Sequence, residues 1–164
     1  MTSMATKFAI VLALFLIGTF AHARETDTPA APEEVIIMSA WSDPEKCNRG
    51  SALHLTVRQA ISVGASLNGQ CVAVKGYWSD RALFENRRDA KQKGSQVARS
   101  LRKRRIGLYA NDEILASSPD TPESYVMIGV LGECESQWPR ALMVMGYCHY
   151  TSGPILLLSQ VFKS

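Results

Sequence analysis

The sequence predicts a mainly β domain: a small closed barrel of five to six short strands with one or two helices. Three observations predict it. Beyond residue 70 the helical apolar period gives way to short alternating runs of strand formers, separated by turn residues. Three of those runs share a valine followed two residues later by glycine: Val74-Lys75-Gly76-Tyr77, Val130-Leu131-Gly132-Glu133 and Val144-Met145-Gly146-Tyr147. Glycine weakens a strand unless a bend or close backbone approach requires it, and a small barrel needs such bends. The length also fits, because residues 24–164 suit one domain and are too short for two ordinary ones.

Residues 1–23 read as a secretory signal peptide. Lys7 gives a positive start, residues 8–20 are almost wholly apolar, and Ala21-His22-Ala23 presents small residues at a cleavage site before Arg24. The apolar run falls short of the roughly 20 residues a membrane-crossing helix requires. No cysteine stands at the cleavage point for lipid attachment, so the expected location is periplasmic or secreted, with no membrane span after cleavage. Residues 24–50 are expected to be an N-terminal tail and extended segment, and residues 51–164 the barrel domain. Within the tail, residues 24–34 carry two prolines and no apolar period, whereas Val35-Ile36-Ile37-Met38 suits a short strand or a segment docked on the core.

The leucine, alanine and isoleucine spacing over residues 53–63 predicts a helix with Leu53, Val57, Ala60, Ile61 and Gly64 on one stripe. Residues 71–78 and 81–85 form a hairpin about Ser79-Asp80. Residues 86–101 read as a basic helix broken near Gly94, since glycine costs about 1 kcal/mol there relative to alanine. Residues 105–110 are a third strand. Pro119 and Pro122 make residues 111–124 a long loop, and residues 125–134, 142–150 and 155–161 complete the strands.

Composition excludes some functions. The 46% hydrophobic and 20% charged residues exclude global disorder. The net charge of +3 falls to +2 once Lys7 leaves, which gives no reason to expect nucleic acid or an anionic membrane as partner. Charge is nonetheless segregated. Residues 87–105 hold nine basic side chains against the single acid Asp89, and residues 112–135 hold six acids with no Lys or Arg. An even count of four cysteines behind a signal peptide predicts two disulfides in an oxidising compartment. No Cys-x-x-Cys suggests a zinc or redox centre, so no metal or cofactor is expected.

Five short strands bent at glycines, with an extra C-terminal strand, resemble the OB-fold over roughly residues 70–161. Gly146-Tyr147-Cys148-His149-Tyr150, followed by Gly153-Pro154 and an apolar strand, is similar to small exported bacterial OB-like proteins of undefined activity. The likeness therefore implies fold and compartment. One departure stands out: OB-folds usually carry a helix between strands three and four, where this chain has the loop at 111–124. The resemblance also implies a disulfide pairing. In an OB barrel strands one and four are antiparallel neighbours, which favours Cys71–Cys134 and leaves Cys47 for Cys148. The sequential alternative, Cys47–Cys71 and Cys134–Cys148, requires a departure from a regular hairpin between strands four and five.

The catalytic inventory is thin, and no catalytic residue is assigned. His54 reads as a surface residue in a helical first turn, and His149 adjoins Cys148, but neighbouring strand residues point to opposite faces. No Gly-x-Ser-x-Gly, His-Glu-x-x-His or phosphate-binding glycine loop occurs. Asp112-Glu113 reads as a solvated pair, and Glu133 with Glu135 as a polar strand end flanking Cys134. The binding signal lies in the aromatics. OB-folds bind on the face of strands two and three, where Tyr77, Trp78, Phe84 and Tyr109 could stack on a ligand. Arg81, Arg87, Arg88, Arg102, Lys103, Arg104 and Arg105 flank them, with His149 as a further candidate. The expected function is an exported non-enzymatic binding module for an anionic glycan, peptide or partner protein of the cell envelope. The alternatives are an envelope-polymer hydrolase using Glu133, Glu135 or His149, and a purely structural envelope protein.

Overall fold

The computed structural model describes residues 35–92 and 104–164; the signal segment, the tail at 24–34, and Arg102 and Lys103 lie outside the described residues. Every described residue belongs to one unit, Glu33–Ser164. The elements in chain order are β1 (Val35–Ile37), β2 (Leu53–Thr56), α1 (Val57–Val63), a 3-10 turn (Gly64–Leu67), β3 (Cys71–Ser79), β4 (Ala82–Phe84), α2 (Arg87–Ala90) and β5 (Arg105–Tyr109). There follow α3 (Asp112–Ala116), β6 (Glu123–Glu133), α4 (Cys134–Gln137), β7 (Ala141–Val144), α5 (Tyr147–Tyr150) and β8 (Pro154–Lys163).

The predicted small barrel is present. β3, β4, β5, β8 and β6 pair in that order, and β6 closes back onto β3. β3 runs antiparallel to β6 from Cys71↔Val130 to Trp78↔Glu123, as strands one and four of the expected barrel should. Its other edge is divided. Val72 to Lys75 pair in parallel with β2, and Tyr77 to Ser79 pair with β4 in the expected hairpin. Gly76 stands at the division. A Cβ there would lie 2.7 Å from Leu83 Cγ and from the Phe84 carbonyl oxygen, so only glycine lets the backbones approach. β5 and β8 pair in parallel, and β8 and β6 antiparallel.

Alternation along the strands fills the barrel interior. Val72, Val74 and Trp78 of β3, Leu83 of β4, Ile106 and Leu108 of β5, Met127 and Leu131 of β6, and Leu156 and Leu158 of β8 form one buried cluster. Val57 and Ala60 of α1 join it from one side. Ile155 and Leu157 point the other way and are buried too, in a second cluster with Phe84, Tyr109 and Tyr147. β8 is thus apolar on both faces, which is why residues 155–158 read as an unbroken run rather than an alternation.

Several local expectations are corrected. The helix expected over residues 53–63 begins only at Val57, because Thr56 caps it and reciprocates with Gln59 in a capping box; residues before it pair as β2. The segment at 111–124 contains α3, whose first turn is capped by Asn111 accepting from the Ile114 amide at 2.9 Å. A helix therefore does connect strands three and four. Of the helix expected over 86–101, the described part is the single turn α2, capped by Asn86. The helices number five among the described residues and are all short, consistent with the small barrel with few helices that was expected. The strand expected over residues 142–150 is split by Gly146, whose φ is +81°, into β7 and the helical turn α5. β7 leaves the barrel to pair in parallel with β1, and β8 takes its place as the fifth barrel strand.

The disulfides are Cys47–Cys71 and Cys134–Cys148, with Cα separations of 5.3 and 5.4 Å, so the favoured Cys71–Cys134 and Cys47–Cys148 pairing is overturned. The neighbour of Cys71 on β6 is Val130, and Cys134 lies beyond it by roughly 13 Å at strand rise. Cys134 has already left β6 in α4, where α5 returns Cys148 beside it. Cys47 is buried after a turn closed by its amide on the Asp43 carbonyl at 2.9 Å. Ser42 beside it donates to the Leu157 carbonyl at 2.6 Å, tying this N-terminal segment to β8.

Loop closure sets the worth of each bridge, given separations of 24 and 14 residues. Paired Cys47→Ser and Cys71→Ser should cost about 3.5 kcal/mol, and paired Cys134→Ser and Cys148→Ser about 3 kcal/mol. Urea unfolding with a free fit of the m-value checks both.

Candidate functional site

On β5 the strand period sends Ile106 and Leu108 inward and Arg105, Gly107 and Tyr109 outward. With the outer side of β4, this is the face on which an OB-like barrel is expected to bind. Here the chain covers it. The segment from Cys134 to Cys148 forms an arm, returning as α5 so that the Tyr147 ring lies directly on Gly107. Any Cβ at Gly107 would overlap that ring, so the missing side chain creates the seat. Tyr147 is 6% exposed and packs with Ala82, Phe84, Ala90, Ile155 and Leu157.

Polar contacts hold the arm in the same place. Arg105 Nε donates to Tyr147 Oη at 3.1 Å, and its guanidinium sits 5.1 Å from the ring centroid. Tyr109 Oη donates to the Met145 carbonyl at 2.7 Å and accepts the Cys148 amide at 3.0 Å. Its ring meets Trp138 edge-on at 5.0 Å. Burial pushes the Tyr109 hydroxyl above its usual range, against smaller opposing effects from the Cys148 amide and Arg81. The hydroxyl thus keeps the proton it donates to Met145.

The expected ligand-binding residues are redistributed. Trp78, Phe84 and Tyr109 are buried and offer no open stacking surface. Trp78 points into the barrel, donates its indole N–H to the Asp80 carbonyl at 2.7 Å and meets Tyr125 edge-on. Phe84 and Tyr109 lie beneath the arm. Tyr77, Arg81 and Arg105 are half-buried, and Arg87, Arg88 and Arg104 are exposed. Arg104 is engaged by Asp89, a buried carboxylate 3.6 Å away that also accepts from Asn86 at 3.0 Å. Arg102 and Lys103 fall outside the described residues. His149 is exposed with its ring against that of Tyr150, and His54 is exposed on β2 rather than on a helix.

The carboxylates do not assemble with His149. Glu135 accepts the Gly153 amide at 3.1 and 3.3 Å, and Glu133 lies over Gly64. Among the described residues, no hydrogen bond or ion pair joins His149 to either one, and no group of three His, Cys, Asp or Glu side chains could hold a metal. Burial, assisted by the charge of Glu135, raises the Glu133 pKa above the usual carboxylate value.

The open feature lies elsewhere. β1 and β7 form a two-stranded sheet outside the barrel, with Ile36 beside Met143 and the Met145 amide donating to the Ile37 carbonyl at 2.8 Å. Val35, Ile36, Leu142 and Met143 are exposed there, as is Met38 just after β1, at 42 to 65%. Ile37 and Val144 are half-buried, and Val144 packs on the outer cluster. No charged residue occurs in residues 35–42 or 141–146, a signal legible in the sequence that the reading by strand period did not use.

Tyr109→Phe should cost about 1–3 kcal/mol and speed hydrogen exchange at Met145 to Cys148, because it removes the hydroxyl that holds that stretch. For Glu133, a folded pKa above the unfolded one makes its contribution fullest below the unfolded pKa, and lost as pH rises through the folded one. Glu133→Gln should therefore raise the melting temperature at pH 7 by about 1–3 °C and flatten stability above pH 4, as calorimetry across pH would measure. No family model, curated protein or solved structure matches this chain, so the reading of its surfaces rests on its own geometry.

Proposed function

We propose that this protein is an exported, non-enzymatic binding module that docks a partner protein of the cell envelope on the ledge formed by β1 and β7. The observation that carries this reading is a two-stranded sheet without charge whose apolar side chains Val35, Ile36, Met38, Leu142 and Met143 are exposed. Isolated surface apolar residues need no explanation, but a contiguous group marks an interaction surface. Free strand edges are normally guarded by lysine, proline or a bulge toward solvent. Neither Val35–Ile37 nor Ala141–Val144 contains Lys or Pro, and the one break in their register lies between Val35 and Ile36.

The occupant that fits is a partner segment presenting an extended apolar strand. Free backbone groups at the sheet edge would supply its hydrogen bonds, and the methionines an adaptable apolar contact. Residues 24–34, which lead into β1, read Arg-Glu-Thr-Asp-Thr-Pro-Ala-Ala-Pro-Glu-Glu and hold no apolar run that matches the ledge. Export is supported by the N-terminal pattern at residues 1–23, by two disulfides and by the lack of a free cysteine among the described residues. No helix among the described residues is long and apolar enough to cross a membrane. An anionic ligand on strands two and three is less well supported, since Tyr147 occupies the centre of that face.

Ile36→Lys combined with Met143→Lys should leave the barrel's circular dichroism unchanged. It should also weaken capture of a photo-crosslinked envelope partner by about 30-fold or more, as the loss of two central apolar contacts implies. Undiminished capture would overturn the reading. So would a wild-type homodimer that the variant converts to monomer, because the ledge would then join two copies of this chain.

A further inference from the structure

The arm that covers strands β4 and β5 behaves as a ligand supplied by the chain itself. Gly107 forms the floor of a socket, Phe84 and Ile155 pack beside it, and Arg105 holds both the hydroxyl and the ring of Tyr147. A socket with a half-buried guanidinium donor aimed at a phenol oxygen favours tyrosine over phenylalanine, because the charge-assisted hydrogen bond is lost with the hydroxyl. The arm entering it is joined to the barrel end through Cys134–Cys148.

That bond is the more accessible of the two. Cys134 and Cys148 are both half-buried and sit on single helical turns. In the other pair only Cys71 is half-buried, and Cys47 is 2% exposed. Thiol–disulfide exchange depends on access to the sulfurs, and Cys134–Cys148 offers two half-buried cysteines where Cys47–Cys71 offers one.

We propose that the outer face of β4 and β5 is a binding socket for a tyrosine side chain of a partner polypeptide, filled in the closed molecule by Tyr147 and opened by reduction of Cys134–Cys148. The reductant is a dithiol. One of its thiolates attacks a sulfur of the pair, forming a mixed disulfide and releasing the other cysteine as thiolate. Its second thiol then displaces the first cysteine. Two electrons and two protons pass to Cys134 and Cys148, and the dithiol leaves as its own disulfide. The freed arm carries β7 with it, so opening the socket also removes one strand of the ledge. The socket stands independently of the ledge's role, because Arg105, Gly107 and Phe84 belong to the barrel.

The test uses the full chain, dithiothreitol, and a fluorescent peptide of residues 143–151 carrying Cys148→Ser. Limited reduction followed by alkylation and mass spectrometry should label Cys134 and Cys148 while Cys47–Cys71 stays intact. Hydrogen exchange should then rise over residues 141–150 and stay slow in β3 and β6. The reduced protein should bind the peptide by fluorescence anisotropy, and the oxidised protein should not. A Tyr147→Ala peptide should bind about tenfold more weakly or worse, and Arg105→Gln in the protein should remove its preference for the tyrosine peptide over a Tyr147→Phe peptide. The Cys134→Ser, Cys148→Ser protein should behave as the reduced form without reductant, which separates opening from any other effect of dithiothreitol. An arm that stays protected after reduction, a barrel that loses protection with it, or peptide binding indifferent to tyrosine would each overturn the proposal.

Discussion

The parallel pairing of β5 with β8 imposes the constraint on which the rest of the molecule depends. Leu156 and Leu158 fill the barrel, while Ile155 and Leu157 lie on the opposite face of the same strand and are buried there too. In the closed molecule both apolar faces of the strand are kept from water, the outer one by a second layer on the outside of the barrel. The arm between β6 and β8 is that layer. Its length, its return through α5 and the place of Tyr147 all follow from the need to cover Ile155, Leu157 and Phe84. Gly107 follows from the same need, because a side chain on β5 at that point would hold the cover away.

Much of the barrel was legible because its signals are local. Residues 71–78, 81–85, 105–110 and 125–134 alternate and end in turn chemistry, and each corresponds to a strand at nearly the expected place. What failed was long-range. Residues 141–145 and 155–158 are both short apolar runs, and nothing within either run says which pairs with β5. The backbone at Gly146 decides it, turning away at positive φ just where a continuous strand was expected. The disulfides failed for a related reason. The antiparallel neighbours were rightly identified, but the register places Val130 opposite Cys71, and an offset of that kind is set by the whole barrel. Thr56 is a different case: the Thr-x-x-Gln capping box was readable, and apolar spacing across it concealed the change from strand to helix.

The sequence drew attention to the barrel face rather than the ledge, because strand period does not report exposure. The aromatics on strands one to three were expected to stack on a ligand, yet Trp78 fills the barrel and Phe84 and Tyr109 support the arm. A period of two tells which residues share a face and says nothing of what covers it. The sequence carried one further clue, a glycine between Arg105 and Tyr109 on the outward side of β5. Glycine in a strand implies a close approach by something, and that partner, Tyr147, is forty residues away.

The same arm links the molecule's two surfaces. Between its cysteines lie both Tyr147, which closes the barrel face, and β7, which with β1 makes the ledge. β1 in turn is followed by Ser42 and Cys47, fastened to β8 and β3. The ledge is therefore held at one strand by the Cys47–Cys71 bridge and at the other by Cys134–Cys148. Because a two-stranded ribbon has little stability alone, its geometry is inherited from these anchors. A surface built in this way can stay apolar and exposed without guarding charges, since both strands are fixed to the barrel. The two bridges supply the order that a larger core would otherwise provide.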